Sequence, residues 1–353
     1  MLGRVTRRVL GSAAAAVDRA AAAAVQARNA RRMSVPPIAT DRNRAKVLEQ
    51  MTLLYPSTLG DDFFLPVTKI APAERPAPSA LGYDEAVDLS WASLYEPYIE
   101  GMRERYLRTV ENQAASVRFF RARAPRPVAI LIHGYLAGSF NFEQRVWPLA
   151  RLLQGGFDVA LFTLPFHALR ADPKHEGRPQ FPSNDPRFSN EGFRQVIGDL
   201  RNFVHWLRAR GHSDVGLMGM SLGGYTAALT ATVEPSLAFL VPIIPLASLP
   251  DFALEHGELN ADPEVAAREH ALLEAVYRVV SPLYRAPRIA PARTLVVGAK
   301  ADRITPVAHA RRLASHFGAP LISWHGGHLL QFGRAACFER VEAFLHELGF
   351  RGP

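Results

Sequence analysis

The run Gly219-Met220-Ser221-Leu222-Gly223-Gly224 constrains this chain more than any other stretch. Asp214-Val215-Gly216-Leu217-Met218 before it is a short apolar run of buried-strand type, and Tyr225-Thr226-Ala227-Ala228-Leu229-Thr230-Ala231 after it is rich in good helix formers. A strand that gives way to a helix within so few residues forces Ser221 into a strained backbone conformation, and neighbouring chain passes too close to tolerate side chains. Gly219 and Gly223 supply the room. The Ser221 hydroxyl then stands exposed on the turn, the geometry of a nucleophile elbow, and the Leu222 N–H at the helix start faces any oxygen that becomes negative beside it. A bare G-x-S-x-G pattern is weak, because glycine and serine are common. Its placement between this strand and this helix separates it from a Gly-Ser turn without chemistry.

A serine hydroxyl is a poor nucleophile at neutral pH. It needs a base within hydrogen-bond reach and a third group that holds the base in one tautomer. Two downstream loops offer them. After the apolar run Leu295-Val296-Val297 comes Gly298-Ala299-Lys300-Ala301-Asp302-Arg303-Ile304-Thr305-Pro306, which sets Asp302 at a strand's end, and after the strand expected at 321–324 comes His325-Gly326-Gly327-His328. Each has a plain alternative: Asp302 as a cap for the helix that follows, His325 in place of His328, and the H-x-x-H spacing as part of a metal site. A zinc site needs further ligands in a defined arrangement, and the flanking glycines favour an exposed loop, so the reading is of no metal.

The order Ser221, Asp302, His328 is that of the α/β-hydrolases and differs from the two serine-protease orders. Through three separately placed motifs, Gly219 to Gly224, Gly298 to Pro306 and Gly326-Gly327-His328, the chain resembles the α/β-hydrolase superfamily over residues 116–350. The resemblance implies Ser221 as nucleophile and Asp302 as orienting carboxylate. It implies His328, rather than His325, as general base and acid, because Gly-Gly-His is the family-like form. It also implies a second oxyanion donor beside Leu222, the backbone N–H of Tyr135 in His133-Gly134-Tyr135, with His133 bracing the loop. Relatives with epoxide hydrolase or dehalogenase chemistry carry aspartate at the elbow, where this chain has Ser221. The run Leu164-Pro165-Phe166-His167-Ala168-Leu169-Arg170, with the helical N-terminal region, resembles the branch called α/β-hydrolase domain-containing protein 18, which favours a lipid-like ester.

From residue 116 short apolar strands alternate with helices, the signature of a mostly parallel central sheet with helices on both faces. Strands are expected at 116–121, 128–133, 157–163, 237–244, 294–297 and 321–324, and helices at 142–153, 189–210, 263–280, 307–317 and 334–348. Ser189 is the expected N-cap of the second helix and Asp262, followed by Pro263, of the third. The polar, proline-rich run 164–187 follows a strand end and is expected to border the site. Residues 246–292 lie where similar hydrolases insert a lid, and Phe252, Leu254, Leu259, Leu272 and Leu273 make them apolar enough to roof a site, although a helix packed onto the sheet demands much the same pattern. The expected division is a helical extension with a Pro-rich connector over 1–112 and a catalytic domain over 113–353. Within the extension, helices are expected at 1–33, 41–55 and 95–112.

Composition narrows the partners. Cys337 is the only cysteine, which excludes an intramolecular disulfide and a cysteine-based metal cluster and fits a reducing, cytoplasmic setting. The formal charge is +8, but no arginine cluster with interleaved aromatics points to nucleic acid. No apolar run approaches the roughly 20 residues that span a bilayer. The alanine-rich stretch 1–33 carries seven arginines and a single acid, Asp18. A basic helix lying peripherally on an anionic membrane is one reading. A helix packed on its own domain is favoured, since alanine supplies little apolar area. The expected function is a serine hydrolase of a small-molecule or lipid-like ester, working through an acyl-enzyme without cofactor. An acyltransferase with the same triad and a non-catalytic binding protein on the same fold are the rivals.

Overall fold

The computed structural model describes residues 4–31, 44–56, 60–78, 85–175 and 178–350. Its strands are β1 (Ala73–Pro76), β2 (Glu85–Ala92), β3 (Ala114–Arg121), β4 (Val128–Ile132), β5 (Asp158–Phe162), β6 (Val215–Met220), β7 (Leu240–Ile243), β8 (Val296–Ala299) and β9 (Leu321–Trp324). They form one sheet in the order β1-β2-β3-β5-β4-β6-β7-β8-β9. Pairing from β5 through β4 to β9 is parallel, while the β1–β2, β2–β3 and β3–β5 pairs are antiparallel.

Every residue of β4 to β8 is buried, because both faces are covered. In β4, Val128, Ile130 and Ile132 enter one core and Ala129 and Leu131 the other, the strict alternation a pleated strand imposes. The helices Pro186–Ala209, Leu222–Thr230, Pro263–Tyr277 and Val307–Phe317 contribute to the first core. Phe140–Val146, Leu149–Gln154 and Arg334–Glu347 close the second. Register then determines what the strand ends bring together. Ile132 of β4 pairs with Gly219 of β6, and Ala299 of β8 with Trp324 of β9. The loops after those four residues therefore leave the same edge of the sheet.

Several local expectations give way to tertiary structure. The single helix expected at 142–153 is two, Phe140–Val146 and Leu149–Gln154, because Pro148 cannot donate an N–H and pushes Trp147 to an extended conformation, φ −83° and ψ 148°. The helix expected at 95–112 is broken into the short turns Glu100–Met102, Arg103–Leu107 and Val110–Gln113. The N–H groups of Tyr98 and Ile99 are instead held at 2.9 Å by the buried Glu191 carboxylate. The long helix starts at Pro186, with Asp185 rather than Ser189 as N-cap, and Ser189 Oγ donates to Ser183 O. Asp262 does cap its helix, accepting from Glu264 and Val265, with Pro263 at the first position. β1 and β2 were not expected, although β2 alternates buried and exposed residues along much of its length.

The helix Arg4–Arg31 lies on its own chain, with Ala14, Ala15 and Asp18 buried. Arg32, Met33 and Asp41 lie outside the described residues. The helix Arg44–Thr52 sends Leu48 and Met51 into the first core and is tied to Pro263–Tyr277 by Arg44 with Glu269 and Arg268 with Glu49.

Beneath the antiparallel edge lies a buried polar layer. Arg170 donates to Asp199 at 2.9 Å and to the carbonyls of Thr163 and Asn112 at 3.2 Å each, and Ser93 Oγ donates to the other Asp199 oxygen at 2.7 Å. Burial still holds the Asp199 carboxyl above its ordinary pKa, with Arg170 pulling it back. Removing one partner of such a pair strands the other charge in the core. Arg170→Met should therefore lose about 3–5 kcal/mol of unfolding free energy in urea, and adding Asp199→Leu should recover a large part of it.

Candidate active site

The turn after β6 holds Ser221 at φ 58° and ψ −115°, a region non-glycine residues rarely occupy. Backbone bonds fix it there: Ser221 N donates to Ile243 O, and Leu246 and Tyr225 N–H groups donate to Ser221 O. The two glycines lie where no side chain fits. A Cβ at Gly219 would lie 2.0 Å from Gly223 O, and one at Gly223 would lie 2.1 Å from Ile132 O. Leu222 opens the helix Leu222–Thr230, so its N–H is among those a helix start leaves without an intrahelical acceptor.

Beside Ser221 runs the loop from β4. A Cβ at Gly134 would stand 3.3 Å from Ser221 Cβ and 3.8 Å from its Oγ, which sets Tyr135 one residue from that approach. The loop is wrapped around the His133 ring. His133 Nδ1–H donates to Gly134 O at 2.7 Å, and Nε2 accepts from Leu164 N–H at 3.0 Å. The ring packs against Gly138, whose φ of 105° and lack of a Cβ admit it, and Gly138 N–H is held by the buried Glu143 carboxylate at 2.9 Å. Both ring nitrogens are thus spent on backbone, as a brace requires. Burial drives the His133 pKa down from 6.5 to about 4, and the buried His167 beside it is driven well below its ordinary value. His167 also meets the Tyr135 ring edge-on, so the 164–170 run borders the site through the β4 loop.

Asp302 and His328 meet in the next pair of loops. His328 Nδ1 and Asp302 Oδ2 are 2.8 Å apart, with Asp302 buried and His328 partly so. The other Asp302 oxygen accepts from Ile304 and Thr305 N–H groups at 2.8 Å each. One oxygen thus faces the histidine and the other closes the turn of its own loop, while the helix Val307–Phe317 starts after Pro306 with no side-chain cap, so Asp302 does not cap it. His325 is exposed and is not Asp302's partner. Thr305, which the sequence reading passed over, stands with Oγ1 at 3.0 Å from Ile244 O, 3.2 Å from Asp302 Oδ2 and 3.1 Å from His328 Nδ1. Its signal was only its place in the Asp302 loop.

This arrangement coincides with independent likenesses. The model for the family "Alpha/beta hydrolase domain containing 18" matches residues 97–251. The acetyl xylan esterase 1 of a Thermoanaerobacterium species superposes with TM-score 0.52 at 15% identity, over 87% of this chain and 94% of that one. An acetyl xylan esterase of a Paenibacillus species gives TM-score 0.52 at 17% identity, over 87% and 96%. The chain has the α/β-hydrolase fold. The domain-containing-18 match carries the 164–170 run, including the buried Arg170. Uncharacterized proteins from two strains of Mycobacterium tuberculosis are 30% identical to this chain over 258 residues, 70% of its length. The chain spans 60% of the length of those relatives.

The segment 246–292 starts at the turn after β6, where Leu246 N–H reaches Ser221 O, and returns to the Asp302 loop, where His256 Nε2–H donates to Ile304 O at 2.9 Å. Its Glu258 also acts on Tyr135, adding to the rise that burial gives the phenol.

The buried histidine brace has a pH consequence. His133 is neutral when folded and takes a proton more readily when unfolded, so protons favour the unfolded chain between the two pKa values. Stability is fully present above about pH 6.5 and is lost as pH falls toward about 4, by about 3 kcal/mol at 1.36 kcal/mol per pKa unit. His167 adds loss in the same direction. Denaturant titrations at pH 7 and pH 5 should show about 2 kcal/mol of that loss in the wild type and a smaller one in His133→Gln.

Proposed function

We propose that this α/β-hydrolase is a serine hydrolase that cleaves a carboxylic ester through an acyl-enzyme. The observation that carries the reading is the 2.8 Å bond between His328 and Asp302 at the sheet edge where Ser221 is held in its strained turn. With Nδ1–H donating to Asp302, the tautomer leaves His328 Nε2 as a lone-pair base. Nε2 takes the Ser221 proton as Oγ attacks the carbonyl carbon. The imidazolium, stabilised by Asp302, then returns that proton to the leaving alcohol. Water repeats the sequence on the acyl-enzyme and restores the serine. Leu222 and Tyr135 N–H groups hold the oxyanion, a contribution typically worth about 10²–10³ in rate per donor. The chemistry needs no metal or cofactor.

The site's neighbours favour an apolar, lipid-like ester. Leu136 and Leu329, next in chain to Tyr135 and His328, are both exposed. Residues 246–292 act as the lid, and residues 113–353 carry the chemistry with residues 1–112 in support.

Labelling of the purified protein with a fluorophosphonate probe, followed by peptide mapping, tests the reading together with hydrolysis of p-nitrophenyl esters of rising chain length. Label is expected on Ser221 and lost in His328→Ala. Turnover is expected to fall about 10⁴-fold or more in Ser221→Ala with the fold intact. Ordinary esterase turnover surviving in Ser221→Ala would falsify the assignment of the nucleophile.

A further inference from the structure

The helix Arg4–Arg31 bears on the loops of the candidate base and its carboxylate, and it lies outside the domain-containing-18 match, which starts at residue 97. Its contact face is made of residues at helical spacing: Gly11, Ala14, Ala15 and Asp18. A Cβ at Gly11 would lie 3.5 Å from His325 O and 3.8 Å from Ala301 Cβ, and Ala14 and Ala15 form a small buried cluster with Ala301. The small side chains that give the helix little apolar area let its backbone come close.

That approach delivers Asp18, fully buried, into the gap between the two loops. Its Oδ2 accepts from His328 N–H at 2.7 Å and from Arg303 N–H at 3.2 Å, and its Oδ1 accepts from Leu329 N–H at 3.0 Å. One carboxylate thus holds the backbone of His328 and of the residues beside both His328 and Asp302. The second glycine of Gly326-Gly327-His328 is explained by the same contact, since a Cβ at Gly327 would stand 2.5 Å from Asp18 Oδ2 and 3.2 Å from Ala14 Cβ. Gly326 has a different constraint, the turn's own backbone, with Phe332 N at 2.3 Å from a Cβ placed there.

We propose that Asp18 is a positioning residue and the N-terminal helix a clamp that holds the His328 loop against the Asp302 loop, so that the imidazole keeps its alignment toward Ser221. The proposal rests on the hydrolase reading above. Charge-assisted bonds from backbone N–H to carboxylate are stronger than neutral ones, and losing an acceptor leaves buried donors unpaired. The His328 loop then has its own turn hydrogen bonds, Ala301 N–H to Gly326 O, and the His328–Asp302 bond to define its place. A displacement of about 1 Å at a catalytic group costs on the order of 10²-fold in rate.

The test uses the full chain and two readouts, steady-state kinetics on a p-nitrophenyl ester and residue-resolved hydrogen exchange. In Asp18→Ala, kcat should fall about 10²-fold with KM within about twofold, and exchange should quicken in 301–303 and 326–332 but not in 215–230. Asp18→Asn keeps one accepting oxygen and should fall between that variant and the wild type. Gly327→Ala, which expels the carboxylate without removing it, should reproduce the pattern, and the Asp18→Ala/Gly327→Ala double variant should lose no more than Asp18→Ala alone. Unchanged kcat and exchange in Asp18→Ala would overturn the clamp. So would additive losses in the double variant, or faster exchange in 215–230 with kcat and KM both degraded, which mark a general stability residue. The wild type's Ser221 labelling separates the two ideas: failure there defeats the hydrolase reading, while exchange in Asp18→Ala still tells whether Asp18 holds the loops.

Discussion

Backbone crowding at the turn after β6 sets the terms for the structure around it. Gly219 meets Gly223 O, and Gly223 meets Ile132 O, closer than any side chain allows. The same approach that excludes side chains locks β4, β6 and the helix Leu222–Thr230 into one unit and fixes Ser221 in a conformation it would not choose. The strain is sustained because Ser221 N–H and O are both hydrogen-bonded and the strands on either side are buried throughout. Register does the rest, since pairing Ile132 with Gly219 sends the Gly134 loop out beside Ser221.

The supports around that turn are polar and mostly buried, and most of their bonds are to backbone rather than to other side chains. His133 holds Gly134 and Leu164, Glu143 holds Gly138 and Trp147, Asp302 holds Ile304 and Thr305, and Asp18 holds His328, Leu329 and Arg303. Loops carry donors and acceptors that strands would otherwise satisfy, so each loop at the sheet edge needs a side chain to complete its hydrogen bonding. The charged group that satisfies a loop also fixes its position. The Arg170–Asp199 layer serves the antiparallel edge in the same way, tying the 163–170 run and the Asn112 backbone to the long helix Pro186–Ala209.

Much of the site was legible in sequence because its signals are local. Strand, glycine and helix flank Ser221 within a few residues, and Asp302 and His328 each follow an apolar strand. Their meeting at 2.8 Å needs only that β8 and β9 be parallel neighbours. Asp262 with Pro263, and the alternation through β4, are equally local. The errors fall where a distant group competes with local propensity. Residues 95–112 have a helical pattern, yet Glu191, far along the chain, takes the Tyr98 and Ile99 amides. Ser189 is a good cap by type, but Asp185 with Pro186 was a better one, and Ser189 turned to Ser183.

By itself the sequence determined the glycine-flanked turn at Ser221, the order of Ser221, Asp302 and His328 at successive strand ends, and the parallel sheet, because each is written in neighbouring residues whose chemistry and periodicity are sufficient. Only the tertiary structure decided the use of the alanine-rich helix, the reason for Gly327, and the placement of Thr305 and Asp18. Those depend on which surfaces come within hydrogen-bond distance across the chain. A lone buried aspartate in a run of alanines carries no pattern until the loop it serves is folded against it.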